Sequence, residues 1–98
     1  MNYSVIPSRF AKEDRKNITN HLGQYSKTAP SRFNSELRKY LGILGDTPEI
    51  FSEYHSNPCY RHVVVYGSYV VLYTVDVSLK TVNIYRILHG AQDIENIL

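Results

Sequence analysis

Two arginines and a histidine in the second half of this 98-residue chain could act together on a phosphate group. Arg61 and Arg86 could hold the phosphate oxygens, and His89 could transfer a proton near neutral pH. Such groups are what cleavage of RNA requires, although three residues are few for that reaction. The alternative is structural: Arg86 pairs with an acidic neighbour such as Asp93, and His89 fixes the turn into the C-terminal tail. We favour the structural interpretation.

A second group has the residue types of a metal site. His55, Cys59 and His62 are separated by three and two residues. Structural zinc sites take four ligands, no fourth candidate is nearby, and Cys59 and His62 straddle the start of a predicted strand. We therefore expect no bound metal and no other cofactor. Because Cys59 is the only cysteine, a disulfide within the chain is excluded.

Basic residues are concentrated in the first half of the chain. Residues 1–45 contain eight Lys/Arg and three Asp/Glu, a net charge of +5, whereas residues 46–98 contain three and six, a net charge of −3. The overall charge of +2 conceals this division. Four of the cations are close in sequence: Arg9, Lys12, Arg15 and Lys16. They form either a solvated helix face or a contact surface for DNA or acidic protein side chains.

Length and composition indicate one globular domain spanning residues 1–98. Hydrophobic residues make up 43% and charged residues 20%, which excludes a disordered or fibrous chain. No apolar run is long enough to cross a membrane. The first ten residues, MNYSVIPSRF, lack the basic start and apolar core of a signal peptide. We expect a cytoplasmic protein with no membrane contact.

Two helices and a sheet must position these candidate residues. Tyr3–Ile6 is predicted to be an opening strand, and Ser8 suits the N-cap position of a helix over Arg9–Tyr25. Its apolar stripe is interrupted by Asp14, where the helical period requires an apolar residue. A second helix runs from about Pro30 to Gly45. The short link between them predicts that the two helices pack as an antiparallel hairpin.

The second half of the chain predicts a sheet. Asp46–Pro58 is expected to be a loop with one helical turn near Glu49–Phe51. Three Val- and Tyr-rich strands, a two-residue turn at Gly67-Ser68 and a short terminal helix follow. The strands are Tyr60–Tyr66, Tyr69–Asp76 and Thr81–Leu88, and the helix is Ala91–Leu98. The predicted fold class is α+β: an N-terminal strand, an antiparallel helical hairpin packed on a mainly antiparallel sheet of about four strands, and a short C-terminal helix.

A two-residue turn would determine the pairing of the hairpin and hence its faces. The expected partners are Tyr66 with Tyr69, Val64 with Val71, and His62 with Tyr73. Both faces would be apolar, whereas the helical hairpin can cover only one. We therefore predict an apolar groove that a partner chain fills, unless the C-terminal tail and the 46–58 loop close it. The predicted groove residues are Arg61, Val63, Val65, Val70, Leu72, Ile94 and Ile97.

Four segments carry a resemblance to a known protein family. They are Ala29-Pro-Ser-Arg-Phe with Glu36-Leu37, Thr47-Pro-Glu-Ile, Gly67-Ser-Tyr-Val-Val-Leu-Tyr with Val75-Asp76, and Ile84-Tyr-Arg-Ile-Leu-His-Gly-Ala-Gln-Asp93. The last is the most specific, because it combines an arginine, an apolar pair and His-Gly-Ala-x-Asp. With the order of elements, these segments make nearly the whole chain similar to the RelE/ParE superfamily of toxins from bacterial toxin–antitoxin pairs.

This resemblance implies a toxin held inactive in a hetero-oligomer with a cognate antitoxin, whose extended segment would occupy the predicted groove. It also implies one of two targets. RelE-like members are ribosome-dependent endoribonucleases that cut mRNA, whereas ParE-like members inhibit DNA gyrase and have no known catalytic centre of their own.

The sheet residues favour the ParE-like branch. The ribonuclease branch typically has an arginine directly after the tyrosine that follows the hairpin turn, and Val70 occupies that position here. The acidic second half would also repel a polyanion. We expect gyrase inhibition, with target-binding candidates Arg86, His89, Asp93, Arg9, Lys12 and Lys16. The alternatives are an mRNA endoribonuclease that uses Arg61, Arg86 and His89, and a binding module that has lost toxicity and only sequesters an antitoxin.

Overall fold

A strand and a helix joined by one capping residue begin the fold. The computed structural model describes residues 3–90, 94, 96 and 97. Strand β1 covers Ser4–Pro7 and helix α1 covers Arg9–Gly23. Between them, the Ser8 Oγ accepts a hydrogen bond from the Ala11 amide at 3.0 Å, which satisfies one N–H group that has no partner within the helix. The predicted N-cap is confirmed, and the helix ends two residues before the predicted Tyr25.

Helix α2 covers Ala29–Asp46 and supplies more of the core than α1. Phe33, Leu37 and Leu44 recur at helical intervals and are at most 1% exposed. The two helices pack on each other, as the short link between them predicts, and both contact the sheet. Neither α1 nor α2 has the length and apolar character that a membrane crossing requires.

The sheet of the described residues has five strands in the order β1-β5-β4-β3-β2. The last four are β2 at Glu53–Tyr54, β3 at Asn57–Val65, β4 at Tyr69–Asp76 and β5 at Thr81–His89. β1 pairs in parallel with β5, and the other neighbours are antiparallel. The segment predicted as a loop thus contains β2 and the start of β3. A strand of two residues is too short to show a hydrophobic period in the sequence. β2 is held in place by Tyr54, whose side chain is only 4% exposed.

The β3–β4 hairpin turns over three residues and not the predicted two. Val65 pairs with Tyr69, so Tyr66, Gly67 and Ser68 lie outside the ladder. The φ angles of Tyr66 and Gly67 are 56° and 73°. The Glu36 carboxylate of α2 accepts the Tyr66 N–H, which holds that amide away from β4. A contact from a distant helix therefore lengthens the turn by one residue.

The predicted pairing of this hairpin is wrong by one residue. The observed partners are Val63 with Val71, Val64 with Val70, and His62 with Leu72. Because side chains alternate between faces, a one-residue slip moves the side chains of one strand to the face opposite to that expected. Tyr66 and Tyr69 are not cross-strand partners either. Both rings pack edge-to-face on Phe33, at centroid distances of 6.2 and 5.3 Å.

The sheet separates two apolar clusters. The larger lies between the helices and the sheet, and its buried strand residues are Val63, Val65, Tyr69, Val71, Tyr73, Val82, Ile84 and Ile87. On the opposite face, Tyr54 and Ile94 pack with Leu72 and Leu88. The described residues of the predicted C-terminal helix, 94, 96 and 97, are helical. Both faces are apolar as predicted, and β2 and the tail cover part of the second face, where Val64 is still 47% exposed.

Gly67 should be far less tolerant of alanine than the helical Gly42. A Cβ at either position would meet no atom within 4 Å, so only the backbone differs. Gly67→Ala should lower the free energy of unfolding by about 1 kcal/mol, because its φ of 73° disfavours an L side chain. Gly42→Ala should raise it by about 0.5–1 kcal/mol, because alanine favours the helix. Urea unfolding of the two variants measures both changes, and equal effects would contradict the turn geometry.

The buried Tyr73 links the loop after α2 to the core through a hydrogen bond. The residue is 0% exposed, and its hydroxyl donates to the Pro48 carbonyl oxygen at 3.0 Å. Burial raises the pKa of Tyr73 to about 12, although the positive charge of Arg61 acts in the opposite direction. The phenol is therefore neutral in the folded protein at pH values where an exposed tyrosine would ionise.

Tyr73→Phe should lower the free energy of unfolding at neutral pH by about 1 kcal/mol, because the Pro48 carbonyl loses its donor. It should also reduce the alkaline loss of stability. In the unfolded chain the phenol ionises at its ordinary pKa of 10.0, so the stabilisation is complete below pH 10 and is lost as the pH rises towards 12. Urea unfolding across this range compares the two proteins. If the stabilities of the two proteins fell in parallel above pH 10, the raised pKa of Tyr73 would be disproved.

Candidate functional site

A bulge in β5 lies directly before Arg86. Tyr85 has no partner in β4, since Leu72 pairs with Arg86 and the next residue of β4 pairs with Ile84. Such a bulge bends a strand and redirects its side chains. The Ser8 hydroxyl donates to the Tyr85 carbonyl oxygen at 2.6 Å. The N-cap of α1 therefore also holds the bulge.

Asp14 of α1 binds Arg86 through two hydrogen bonds. The Arg86 Nε and Nη2 donate to the two carboxylate oxygens at 2.6 and 2.9 Å, and the Ile87 amide donates to the same carboxylate at 3.0 Å. The Arg86 and Asp14 side chains are only 23% and 12% exposed. The hydrogen bond that Arg86 donates to Asp14 raises the pKa of Arg86, and burial opposes this effect. The guanidinium is therefore charged and joined to α1.

Phe10 lies beside this ion pair at the surface. It is 51% exposed, and the guanidinium carbons of Arg9 and Arg86 lie 5.3 and 5.9 Å from its ring centroid. These distances are in the range of cation–π interactions. Arg86 therefore contacts an aromatic ring as well as a carboxylate, and both contacts come from α1.

His89 ends β5 and packs against Tyr69, with ring centroids 4.9 Å apart. Gly90 follows with a φ of 88°, a conformation that favours glycine. The exposed His89 ring lines a cleft of about 180 Å³ together with Asn17 and His21 of α1. Burial raises the pKa of Tyr69, and Tyr66 adds to this effect. Both effects favour the protonated phenol.

Arg61 lies on β3 and binds the loop that precedes β2. Its Nη1 donates to the Phe51 carbonyl oxygen at 2.6 Å and to the Glu49 carbonyl oxygen at 3.4 Å. Strand β4 separates it from Arg86 and His89 on β5. The three residues considered for phosphate chemistry are therefore not brought together, and both guanidinium groups bind oxygen atoms of the protein.

The acidic partner of Arg86 in the described part of the chain is Asp14. Asp93, the example proposed from the sequence, lies outside the described residues. The other cationic candidates lie on α1, where Arg9, Lys12 and Lys16 are exposed and form what we call the basic face of α1. Arg15 is half-buried instead, and its Nε donates to Asn34 Oδ1 of α2 at 2.8 Å.

The structure divides the predicted groove residues between the two faces of the sheet. Val63 and Val65 lie in the helix-side cluster, whereas the other apolar members lie on the opposite face, in contact with one another: Val70, Leu72, Ile94 and Ile97. The prediction of a single groove lined by all seven residues is wrong, because the three-residue turn shifts β3 against β4. The opposite face keeps a half-exposed apolar surface that includes Tyr60, whose ring stacks on Tyr85 at 5.3 Å.

The residues considered as metal ligands have other contacts. The His55 and His62 rings pack against Tyr54, with centroid distances of 4.7 and 5.5 Å. The His62 Nδ1 lies 3.1 Å from the Ser52 carbonyl oxygen, and Cys59 is exposed. Within the described residues, no three His, Cys, Asp or Glu side chains are grouped so that they could hold a metal ion.

Two acidic residues were missed as determinants of this geometry. The role of Asp14 could have been inferred from the sequence, because it occupies a position of α1 where the helical period requires an apolar residue. A charge at such a position indicates a buried partner of opposite charge. Glu36 left no such signal, because a glutamate on a helix usually faces solvent. Its contact with the Tyr66 amide depends on how α2 lies against the hairpin turn.

Asp14→Ala should lower the free energy of unfolding by about 2–3 kcal/mol, because it leaves the Arg86 guanidinium and the Ile87 amide without their acceptor. Asp14→Ala combined with Arg86→Met should recover part of this loss, because the charge left without a partner is removed as well. The exposed neighbour Glu13 supplies the control, and Glu13→Ala should change stability by less than about 0.5 kcal/mol. Urea unfolding measures the loss of stability in Asp14→Ala, in Arg86→Met and in the double variant. A loss in the double variant equal to the sum of the two single losses would disprove a coupled pair.

Comparisons with known proteins place this fold among toxins. A family model described as the ParE toxin of the type II toxin–antitoxin system parDE matches residues 5–94. The search of curated protein sequences returned no match.

Solved structures agree in fold. One similar chain is in the toxin–antitoxin complex RelBE2 from Mycobacterium tuberculosis, with a TM-score of 0.68 and 20% identity over 92% of this chain and 100% of that one. Another is in the chromosomal ParDE toxin–antitoxin system of P. aeruginosa, with a TM-score of 0.74 and 16% identity over 92% of this chain and 98% of that one. Because the family match spans almost the entire described fold, the chain belongs to the ParE toxin family of type II toxin–antitoxin systems.

Proposed function

We propose that this chain inhibits DNA gyrase and that a cognate antitoxin neutralises it in a hetero-oligomer in the bacterial cytoplasm. The choice of gyrase as the target rests on the hydrogen bonds that the two arginines of the sheet, Arg61 and Arg86, make within the protein. Arg86 is bound by Asp14 and Arg61 by main-chain oxygens of the preceding loop. Both guanidinium groups already donate to oxygen atoms of the protein, which leaves them fewer N–H groups for a scissile phosphate, so the binding of a protein target explains these residues better than RNA cleavage does.

The distribution of exposed cations supports the same choice. Val70 occupies the position where the ribonuclease branch carries an arginine, and it packs in the cluster opposite the helices. The exposed cations Arg9, Lys12 and Lys16 lie instead on α1. We assign target binding to the basic face of α1, to the neighbouring Arg86 and His89, and to Asp93. Positive charge there complements DNA or an acidic protein surface in the gyrase–DNA complex.

The proposal of an antitoxin partner rests on the likeness to chains solved as toxin–antitoxin complexes and on the half-exposed sheet face. Of the predicted groove residues, those that still lie together are on the face away from the helices, next to the exposed Val64: Val70, Leu72, Ile94 and Ile97. An apolar strip of this kind suits an extended segment of a partner chain. We propose this face as the antitoxin contact.

A gyrase supercoiling assay with the purified protein tests the target. We expect inhibition. Substituting Arg9→Gln, Lys12→Gln and Lys16→Gln together should raise the protein concentration needed for half inhibition at least about tenfold, because the basic face loses its charge. The matched control changes three exposed cations of α2 by the same charge: Arg32→Gln, Arg38→Gln and Lys39→Gln. This control should inhibit like the unmodified protein.

Normal supercoiling at a large excess of protein would overturn the proposed target. Primer extension on translated mRNA would then distinguish the remaining possibilities. Cuts that depend on the protein would assign the ribonuclease activity. Absence of both cuts and growth arrest on induction would leave a binding module that sequesters an antitoxin.

A further inference from the structure

A small apolar cleft with a cationic mouth lies between α1, α2 and the edge of the sheet. Its volume is about 150 Å³, and it is lined by side chains of both helices, β1 and β5. The walls include Ala11, Leu37, Leu41 and Ile87, and the charged side chains that line it are Lys12 and Arg15. No carboxylate is among the described residues that line it. The cleft therefore has an apolar interior and a positive rim.

The two cations are available to a ligand in different ways. The Nε of Arg15 is held by Asn34 Oδ1 at 2.8 Å, which orients the guanidinium and leaves its terminal nitrogens to donate elsewhere. Lys12 is exposed and can bend over the mouth of the cleft. The nearby carboxylate of Asp14 is bound by Arg86, so it does not neutralise this pair. An anion at the mouth would meet two cations without a competing acidic side chain.

The interior sets the size and polarity of the ligand. A space of roughly this volume admits a benzene-sized molecule. The wall side chains named above offer no hydrogen-bond donor or acceptor, so a polar body would lose its hydration without compensation. We propose that this cleft binds a monocarboxylate whose body is a single aromatic ring or a branched aliphatic group, with the carboxylate between Lys12 and Arg15. The site shares Lys12 with the proposed gyrase contact and has no other residue in common with it or with the proposed antitoxin contact.

Titration of the purified full-length chain with benzoate, followed by amide chemical shifts, tests the proposal. We expect shifts confined to residues around the cleft. Benzyl alcohol, which has the ring without the charge, and acetate, which has the charge without the ring, should each bind at least about tenfold more weakly. Raising the salt concentration should weaken benzoate binding more than benzyl alcohol binding, because only the former depends on charge.

Variants separate the two parts of the site. Lys12→Gln with Arg15→Gln should remove the preference for benzoate over benzyl alcohol, whereas Lys16→Gln, on the same helix but outside the lining, should preserve it. Leu41→Trp should abolish binding of both compounds by filling the cleft, and the smaller change Leu41→Phe serves if the tryptophan variant does not fold. Equal affinity for the two compounds, shifts elsewhere on the protein or unchanged binding in a folded Leu41 variant would each overturn the proposal. The measurement involves neither gyrase nor antitoxin, so its outcome is independent of the proposed function.

Discussion

The ion pair between Asp14 and Arg86 joins α1 to β5, and the position of the first helix on the sheet depends on it. One carboxylate accepts two guanidinium hydrogen bonds and the Ile87 amide, in an interface that leaves the pair mostly buried. Burying either charge alone would be costly, so the two residues require each other. The bulge at Tyr85 lies directly before Arg86, and Ser8 binds both the bulge and the beginning of α1.

The same pair determines what Arg86 can do. A guanidinium that binds a carboxylate in two places has a fixed orientation and little remaining capacity for a phosphate, whereas the Phe10 ring beside it leaves an aromatic and cationic surface at the outside. Arg61 is held less fully, because only its Nη1 donates to carbonyl oxygens of the loop between α2 and β2. Two residues that resemble catalytic cations in the sequence therefore both donate to oxygen atoms of the protein, and the exposed positive charge of the described residues is concentrated on the helices.

The register of the β3–β4 hairpin depends on a contact from α2 and not on the sequence of the turn alone. The Gly67-Ser68 pair predicts a two-residue turn, and that turn would have placed Val63, Val65, Val70 and Leu72 on one face. The Glu36 carboxylate binds the Tyr66 amide and lengthens the turn by one residue. Since the side-chain period of a strand is two, this single residue sends Val63 and Val65 into the main core and leaves Val70 and Leu72 on the other side.

The sequence by itself determined the two helices, the N-cap at Ser8, the position of the three long strands, the apolar character of both sheet faces and the family resemblance. Each of these depends on local periodicity, on a capping preference or on a contiguous motif. Only the tertiary structure decided the partner of Arg86, the register of the hairpin, the two-residue strand at Glu53–Tyr54 and the cleft between α1 and α2. These depend on residues far apart in the chain, such as Asp14 with Arg86 and Glu36 with Tyr66, and their contacts exist only once the helices lie against the sheet.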